Sequence, residues 1–476
     1  RESAMATQCF ALPALAALAI LVVNVAAIPV QDHSTVEEFA RSDAKLEVVA
    51  TIERGDYGGI LTQKSVTGLC DDVKQYAGYF NVTTATKMYF YWFFESRSAP
   101  AKDPVVLWMT GGPGCSSGIA LFNENGPCTV NDDLSTARNA YGWNSNASLL
   151  FIDQPAGTGF SYGAPGDYDS NEKEVARDMY NFLQAFFQAH PEYQANPFHT
   201  FGESYGGHYV PATAHAVFEG NKDPAGGVQI NLKGVGVGNG LTAPEIQYQY
   251  YPEMAYKNPV KPVVNWVVYQ GMKLASKKCV SQIQQCQADQ AKCDAAFAFC
   301  QASLVSPVQL SGINLYDVRE KCKHPPLCYD FSSTEKFLNL PEVLEELGTT
   351  GHKWASCNMI VNARFRTDWM QHFQTVIPPM LEAGIRVLIY AGEMDYICNY
   401  LGNKAWTLQL PWKGKEAFVA AGDNAWTVGG KQAGLARAAQ GFTFLQVHDA
   451  GHMVPLDQPE NSLAMLNAFL ADEPFY

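Results

Sequence analysis

Residues 202–206 read Gly-Glu-Ser-Tyr-Gly; an acid follows at Asp395 and a histidine at His452. The first stretch fits G-x-S-x-G, a sharp strand-to-helix turn that lifts a serine hydroxyl clear of a sheet. A serine hydroxyl is a weak nucleophile until a base takes its proton. His452 is the candidate base, and Asp395 the acid that holds the far ring nitrogen and stabilises the imidazolium. His448 competes as base, and Glu393, Asp449 and Asp457 compete as acids. The chain order Ser, Asp, His differs from those of chymotrypsin and subtilisin.

A second stretch, Trp108-Met-Thr-Gly-Gly-Pro-Gly-Cys115, ends an apolar run in glycines that let backbone approach a substrate carbonyl. A developing oxyanion needs two N–H donors, one of them from the residue after the nucleophile. Tyr205 supplies that one, and Gly112 is the candidate for the other. Glu203 adds an acid directly beside the nucleophile.

These residues need a scaffold. Buried-strand runs occur at 105–108, 149–152, 198–201, 235–237, 387–390 and 444–447. Between them, 171–189 carries Val175, Met179, Phe182, Leu183, Phe186 and Phe187 on one helical stripe, with Pro191 beyond its end. Strands alternating with helices imply a largely parallel α/β sheet. From 241 to 364 the chain turns Cys-rich, Tyr-rich and helical, and reads as an insertion capping the sheet's C-terminal edge, where such sheets bind ligands. Residues 66–240 and 365–476 form the expected core. Residues 28–65, polar and without strong strands, read as a pro-segment or loose N-terminal arm. The glycines of 234–240 miss G-x-G-x-x-G, so a nucleotide loop is not expected there.

With 33 basic against 47 acidic residues the net charge is −14, which argues against a nucleic-acid partner. Arg1 to Ala4 resemble an expression scar or translated stub before Met5. The apolar 10–27, closing on Val25-Ala-Ala27, reads as a cleaved signal peptide, so no stable membrane anchor is expected afterwards. Of 12 cysteines, Cys9 falls in that leader and an odd number remains. Cys279, Cys286, Cys293 and Cys300 step by seven, about two helical turns. A turn near Asp289 would oppose Cys279 to Cys300 and Cys286 to Cys293; zinc normally uses shorter spacings. Cys322 and Cys328 close a short loop. Asn81-Val-Thr and Asn146-Ala-Ser are glycosylation acceptors, usable in a secretory compartment.

Together these motifs resemble the serine carboxypeptidases of the carboxypeptidase Y type, a lysosomal and vacuolar family. The likeness runs from Gln75-Tyr-Ala-Gly-Tyr79 to the C-terminus. It includes Glu95-Ser-Arg, Gly111-Gly-Pro-Gly-Cys-Ser-Ser117, Trp143-Asn-Ser-Asn146, Asp153-Gln-Pro155 and Gly202-Glu-Ser-Tyr-Gly-Gly-His-Tyr209. It continues through Gly238-Asn-Gly-Leu241, Ile397-Cys-Asn-Tyr-Leu-Gly-Asn-Lys-Ala-Trp406 and Gly451-His-Met-Val-Pro455. The resemblance implies an α/β-hydrolase fold with a helical, disulfide-rich cap. It implies peptide hydrolysis from the free C-terminus through an acyl-enzyme at acidic pH, without metal or cofactor, in the lysosome or vacuole. It assigns Ser204, Asp395 and His452 to the triad and Gly112 and Tyr205 to the oxyanion hole.

Further roles come from the same resemblance. Glu203 pairs with Glu124 to hold the substrate's terminal carboxylate; two close carboxyls cannot both ionise cheaply, so they share a proton. Gly111, Thr110 and Trp108 complete that contact, with Thr110 standing where the family has asparagine. Tyr316, Tyr329 and Met453 line the leaving-residue pocket, with Asn123 in place of a usual aromatic. The family also implies Cys115–Cys357, the pairs inferred above and a free thiol at Cys398, leaving Cys70 and Cys128 to pair by elimination. An esterase or acyltransferase on the same scaffold, and a non-catalytic protective protein, are the competing classes; the glutamate pair opposes the first and the intact triad the second. A monomer and a homodimer both stay open.

Overall fold

The computed structural model describes residues 46–476 apart from 55–56, 83–84 and 224–226. The expected leader, its preceding stub and residues 28–45 lie outside the described residues.

Six strands form a parallel centre, ordered Ser148–Ile152, Val105–Met109, Phe198–Glu203, Leu232–Gly238, Arg386–Gly392 and Phe442–Val447. Strands covered on both faces read as continuous apolar runs, and every residue of Val105–Met109 and Ser148–Ile152 is buried. Antiparallel strands extend both sides into one 12-stranded sheet. On one flank lie Met88–Phe94, Gln75–Val82, Tyr57–Val66 and Glu47–Arg54; on the other, Lys431–Ala439 and Asn424–Val428.

The outermost pair corrects one expectation. Residues 47–65 are not a loose arm: Glu47–Arg54 and Tyr57–Val66 pair antiparallel from Arg54↔Tyr57 to Glu47↔Gln63, with a register shift between Val48 and Ala50, and Leu61 is fully buried. Antiparallel strands with one covered face alternate polar and apolar residues, so EVVATIER and YGGILTQKSV lack the apolar runs of central strands. Gly59 is needed where it stands, because a Cβ there would fall 2.1 Å from the Phe80 ring.

Helix Glu172–Ala189 packs against helix Gly206–Gly220. Its N-cap, Asn171, accepts from the Glu174 N–H at 3.1 Å, a contact worth about 1 kcal/mol. The whole expected stripe from Val175 to Phe187 is buried. Between Leu232–Gly238 and Arg386–Gly392 the chain leaves the sheet and forms the helical cap. Helices Trp266–Ala288 and Cys293–Cys300 fold back on each other around Asp289. They are joined by Cys279–Cys300 and Cys286–Cys293. Cys70–Cys128, Cys115–Cys357 and Cys322–Cys328 are the other disulfides among the described residues, and Cys398 is a buried free thiol. No helix among those residues is long and apolar enough to cross a membrane. Asn146 is exposed and Asn81 partly buried.

Candidate active site

Strand Phe198–Glu203 runs directly into the turn that begins helix Gly206–Gly220. Ser204 between them has φ 64°, a left-handed conformation that costs a non-glycine residue roughly 1–3 kcal/mol. The surroundings impose it. The Ser204 N–H donates to the Gly238 carbonyl at 3.1 Å, and its carbonyl accepts from Leu241 at 2.9 Å and Gly207 at 3.0 Å. The motif's first glycine is required by close approach, since a Cβ on Gly202 would lie 2.3 Å from the Met109 carbonyl oxygen.

Asp395 follows Arg386–Gly392 and His452 follows Phe442–Val447, both parallel to the serine's strand beyond Leu232–Gly238, so both emerge at the same sheet edge as Ser204. His452 Nδ1 lies 2.8 Å from Asp395 Oδ2, with the ring buried. Its main-chain N–H donates to the Tyr316 carbonyl at 2.8 Å, and the Tyr316 ring stands edge-on at 5.0 Å. Asp395 Oδ2 also accepts from Asn239 Nδ2 at 2.9 Å and from the Cys398 N–H at 3.2 Å, while Oδ1 accepts from Ile397 at 3.0 Å. These donors hold the carboxylate in the orientation that fixes the imidazole. Ser204 and His452 both line one cavity of about 420 Å³.

The rival acids and base are engaged elsewhere. His448 Nδ1 meets Glu393 Oε2 at 2.8 Å, Asp449 is exposed, and Asp457 accepts from the Gly451 N–H at 2.6 Å. The buried Cys398 thiol, pushed well up by burial and then by Asp395, remains protonated, so it is no competing nucleophile.

The glycine loop lies against the serine turn. A Cβ on Gly111 would sit 2.3 Å from the Tyr205 nitrogen and 2.8 Å from Ser204 Cβ. Gly112 takes φ 112°, a conformation open to glycine. Among the described residues, neither the Gly112 nor the Tyr205 N–H donates to a protein acceptor. Cys115–Cys357 ties the loop to the cap, and Trp354 Nε1–H donates to Ser116 Oγ at 2.9 Å.

Behind Ser204, Glu203 faces Glu124, both buried. Among the described residues, no other N–H or O–H reaches either Glu124 oxygen or Glu203 Oε2; Glu203 Oε1 is 3.9 Å from His452 Nε2. Burial pushes Glu124 up to about 7, and burial together with the facing Glu124 pushes Glu203 well above the usual carboxylate range. A proton between the two carboxyls satisfies them.

Thr110 and Gly111 line the cavity, but Trp108 does not. Trp108 is buried against Trp143, and its indole N–H donates to Thr110 Oγ1 at 2.9 Å, so it reaches the site only through Thr110. Tyr316, Tyr329 and Met453 are walls, whereas Asn123 turns away to bond the Ile119 carbonyl and Thr334 Oγ1. The opposite wall, from Leu241, Tyr248, Tyr251, Trp369 and Ile397, was not foreseen individually. Its one sequence signal is the tyrosine-rich stretch just after the Leu232–Gly238 strand.

A left-handed serine at the C-terminal edge of a mostly parallel sheet, with acid and histidine following two later strands of the parallel centre, defines an α/β-hydrolase. Comparison with known proteins narrows this. The family model described as "Serine carboxypeptidase" matches residues 66–472. The chain is 41% identical over 455 residues to a serine carboxypeptidase-like protein of Arabidopsis thaliana, covering 93% of this chain and 86% of that one. It is 42% identical over 410 residues to carboxypeptidase Y of Komagataella phaffii, covering 85% and 77%. A crystal structure of a prohormone-processing carboxypeptidase of Saccharomyces cerevisiae superposes with a TM-score of 0.75 at 26% identity, over 84% of this chain and 92% of that one. The chain belongs to the serine carboxypeptidase family and is a serine-type peptide hydrolase acting at C-termini.

Proposed function

We propose that Ser204 is the nucleophile and His452 its base, with Asp395 orienting the imidazole. Ser204 Oγ attacks the last peptide carbonyl while its proton passes to His452 Nε2. The tetrahedral oxyanion faces the Gly112 and Tyr205 N–H groups, where such donors contribute most. Collapse transfers the proton from His452 to the leaving amine, and water then hydrolyses the Ser204 ester by the reverse sequence. Glu203 and Glu124, with Gly111 and Thr110, receive the terminal carboxylate, and Tyr316, Tyr329 and Met453 surround the leaving side chain.

The observation that carries the carboxylate assignment is the buried Glu124/Glu203 pair, one residue from the serine and without a cation among the described residues. A protonated carboxyl can donate to a carboxylate; an ionised pair repels it. This gives peptidase activity that is strongest at acid pH, and suits a lysosomal or vacuolar enzyme folded along the secretory route, where its disulfides form. The discriminating assay compares a peptide ending in a free carboxylate with its C-terminal amide at pH 5. A preference of at least about tenfold in kcat/KM for the free acid is expected, the worth of one charge-assisted hydrogen bond. Equal rates would leave an endopeptidase or amidase.

Thr110 gives a further test. Its hydroxyl, already accepting from Trp108, offers one donor where asparagine offers two. Thr110→Asn is expected to lower KM for free-acid peptides about three- to tenfold and leave ester KM unchanged. A KM that rises or stays constant would remove Thr110 from the carboxylate contact.

A further inference from the structure

A second set of buried carboxyls, Asp368 and Glu172, is linked to the residue after the nucleophile. The buried Tyr205 hydroxyl donates to Asp368 Oδ2 at 2.9 Å. Asp368 Oδ1 accepts from the Glu172 main-chain N–H at 3.3 Å. Glu172, the first residue of helix Glu172–Ala189, is buried, and neither of its side-chain oxygens has a hydrogen-bond donor among the described residues. Neither Glu172 nor Asp368 has an ion-pair partner among the described residues.

Among the described residues, the charges that act on this pair are acidic. Asp169 is held by Lys87 and by the Tyr89 hydroxyl, and Glu174 accepts from the Ser170 N–H. Tyr205 and Tyr209 are buried phenols held protonated by burial. His208, stacked on the Tyr205 ring at 4.3 Å, is kept neutral by burial. Burial pushes Asp368 up to about 7, and burial with Asp368 and Asp169 beside it pushes Glu172 well above its usual range.

The same tyrosine presents two groups with different tasks. Its main-chain N–H belongs to the peptide that follows the left-handed Ser204, and a strained turn persists only where its neighbours over-determine it. On one side Gly238 and Leu241 hold Ser204. On the other, the ring lies among His208, Trp369 and Phe365, and only the hydroxyl–Asp368 bond sets its reach. We propose that Asp368 and Glu172 are positioning residues that anchor the Tyr205 side chain and thereby aim the oxyanion-hole N–H. The inference rests on the reading of Tyr205 as an oxyanion donor. It assigns the pair to transition-state stabilisation, separate from the carboxylate-binding pair Glu124/Glu203.

The test uses an ester substrate with a blocked carboxyl, so that carboxylate binding is not read, on the full chain with Tyr205→Phe, Asp368→Ala, Asp368→Asn, Glu172→Gln and Ser204→Ala. Tyr205→Phe deletes one oxygen and keeps ring and N–H. It and Asp368→Ala are expected to lower kcat about tenfold to a hundredfold at constant KM, the range for misaimed groups. Asp368→Asn, which keeps an acceptor for the hydroxyl, restores most of that loss. In the parent enzyme kcat falls at alkaline pH as the pair loses its last proton; Glu172→Gln flattens that limb. Thermal unfolding of each variant separates misfolding from misaiming, and Tyr205→Phe serves if Asp368→Ala does not fold. A Tyr205→Phe kcat within twofold of the parent overturns the inference, as does a loss confined to KM. Activity surviving in Ser204→Ala would instead overturn the nucleophile assignment on which it rests.

Discussion

Ser204→Ala is expected to lower kcat by at least about 10,000-fold on both peptide and ester substrates, the scale on which a nucleophile and its base act as a unit. The loss is chemical rather than structural. Alanine keeps the Cβ and left-handed backbone of Ser204, and the main-chain bonds to Gly238, Leu241 and Gly207 involve no hydroxyl. The Asp395–His452 contact at 2.8 Å and the five disulfides are untouched. Unfolding temperature and peptide affinity therefore stay close to those of the parent. A serine-directed fluorophosphonate reads the same point independently: it should add one phosphonyl group to the peptide containing Ser204 in the parent and nothing in the variant. Full activity in Ser204→Ala, or labelling at another residue, would remove Ser204 from the reaction.

What the sequence could reveal divides by how local the physics is. The nucleophile turn was readable because the close backbone approach at Gly202 and the left-handed Ser204 leave a five-residue signature. The nested disulfides were readable because a step of seven keeps cysteines on one helix face, and Asp289 marks the turn. Central strands stood out as apolar runs; the outer strands at 47–66 did not, because a half-covered strand alternates and resembles a polar arm. The supports of the site were hidden for another reason. Asn239 lies 156 residues from the Asp395 it orients, and Glu172 lies 196 residues from Asp368. Nothing in either local stretch records such a pairing. Trp108 shows the opposite error: its neighbours Thr110 and Gly111 line the cavity, but its own indole faces back into the core, since motif membership does not fix which way a side chain points.

The glutamate pair makes the second large prediction, and its sign follows from the direction of the shifts. Glu124 is pushed up to about 7 and Glu203 beyond it, so below about pH 7 the pair holds the protons with which it meets a carboxylate. As pH rises past that value a proton leaves, and the site presents negative charge to a negative ligand. Between pH 6 and pH 8 the proton-rich fraction falls roughly tenfold, so kcat/KM for a free-acid peptide should fall by about that factor relative to an ester with a blocked carboxyl. Taking the ratio cancels any pH dependence of the chemical step, which both substrates share. The matching variant, Glu124→Gln with Glu203→Gln, keeps the shape and hydrogen-bonding capacity of the pair but removes both titrations. Its peptide-to-ester ratio should be flat across the same range. A parent ratio that is itself flat, or a double variant that keeps the tenfold fall, would mean that the terminal carboxylate is held by other groups. The two buried acids would then be a structural hydrogen-bonded pair beside the nucleophile.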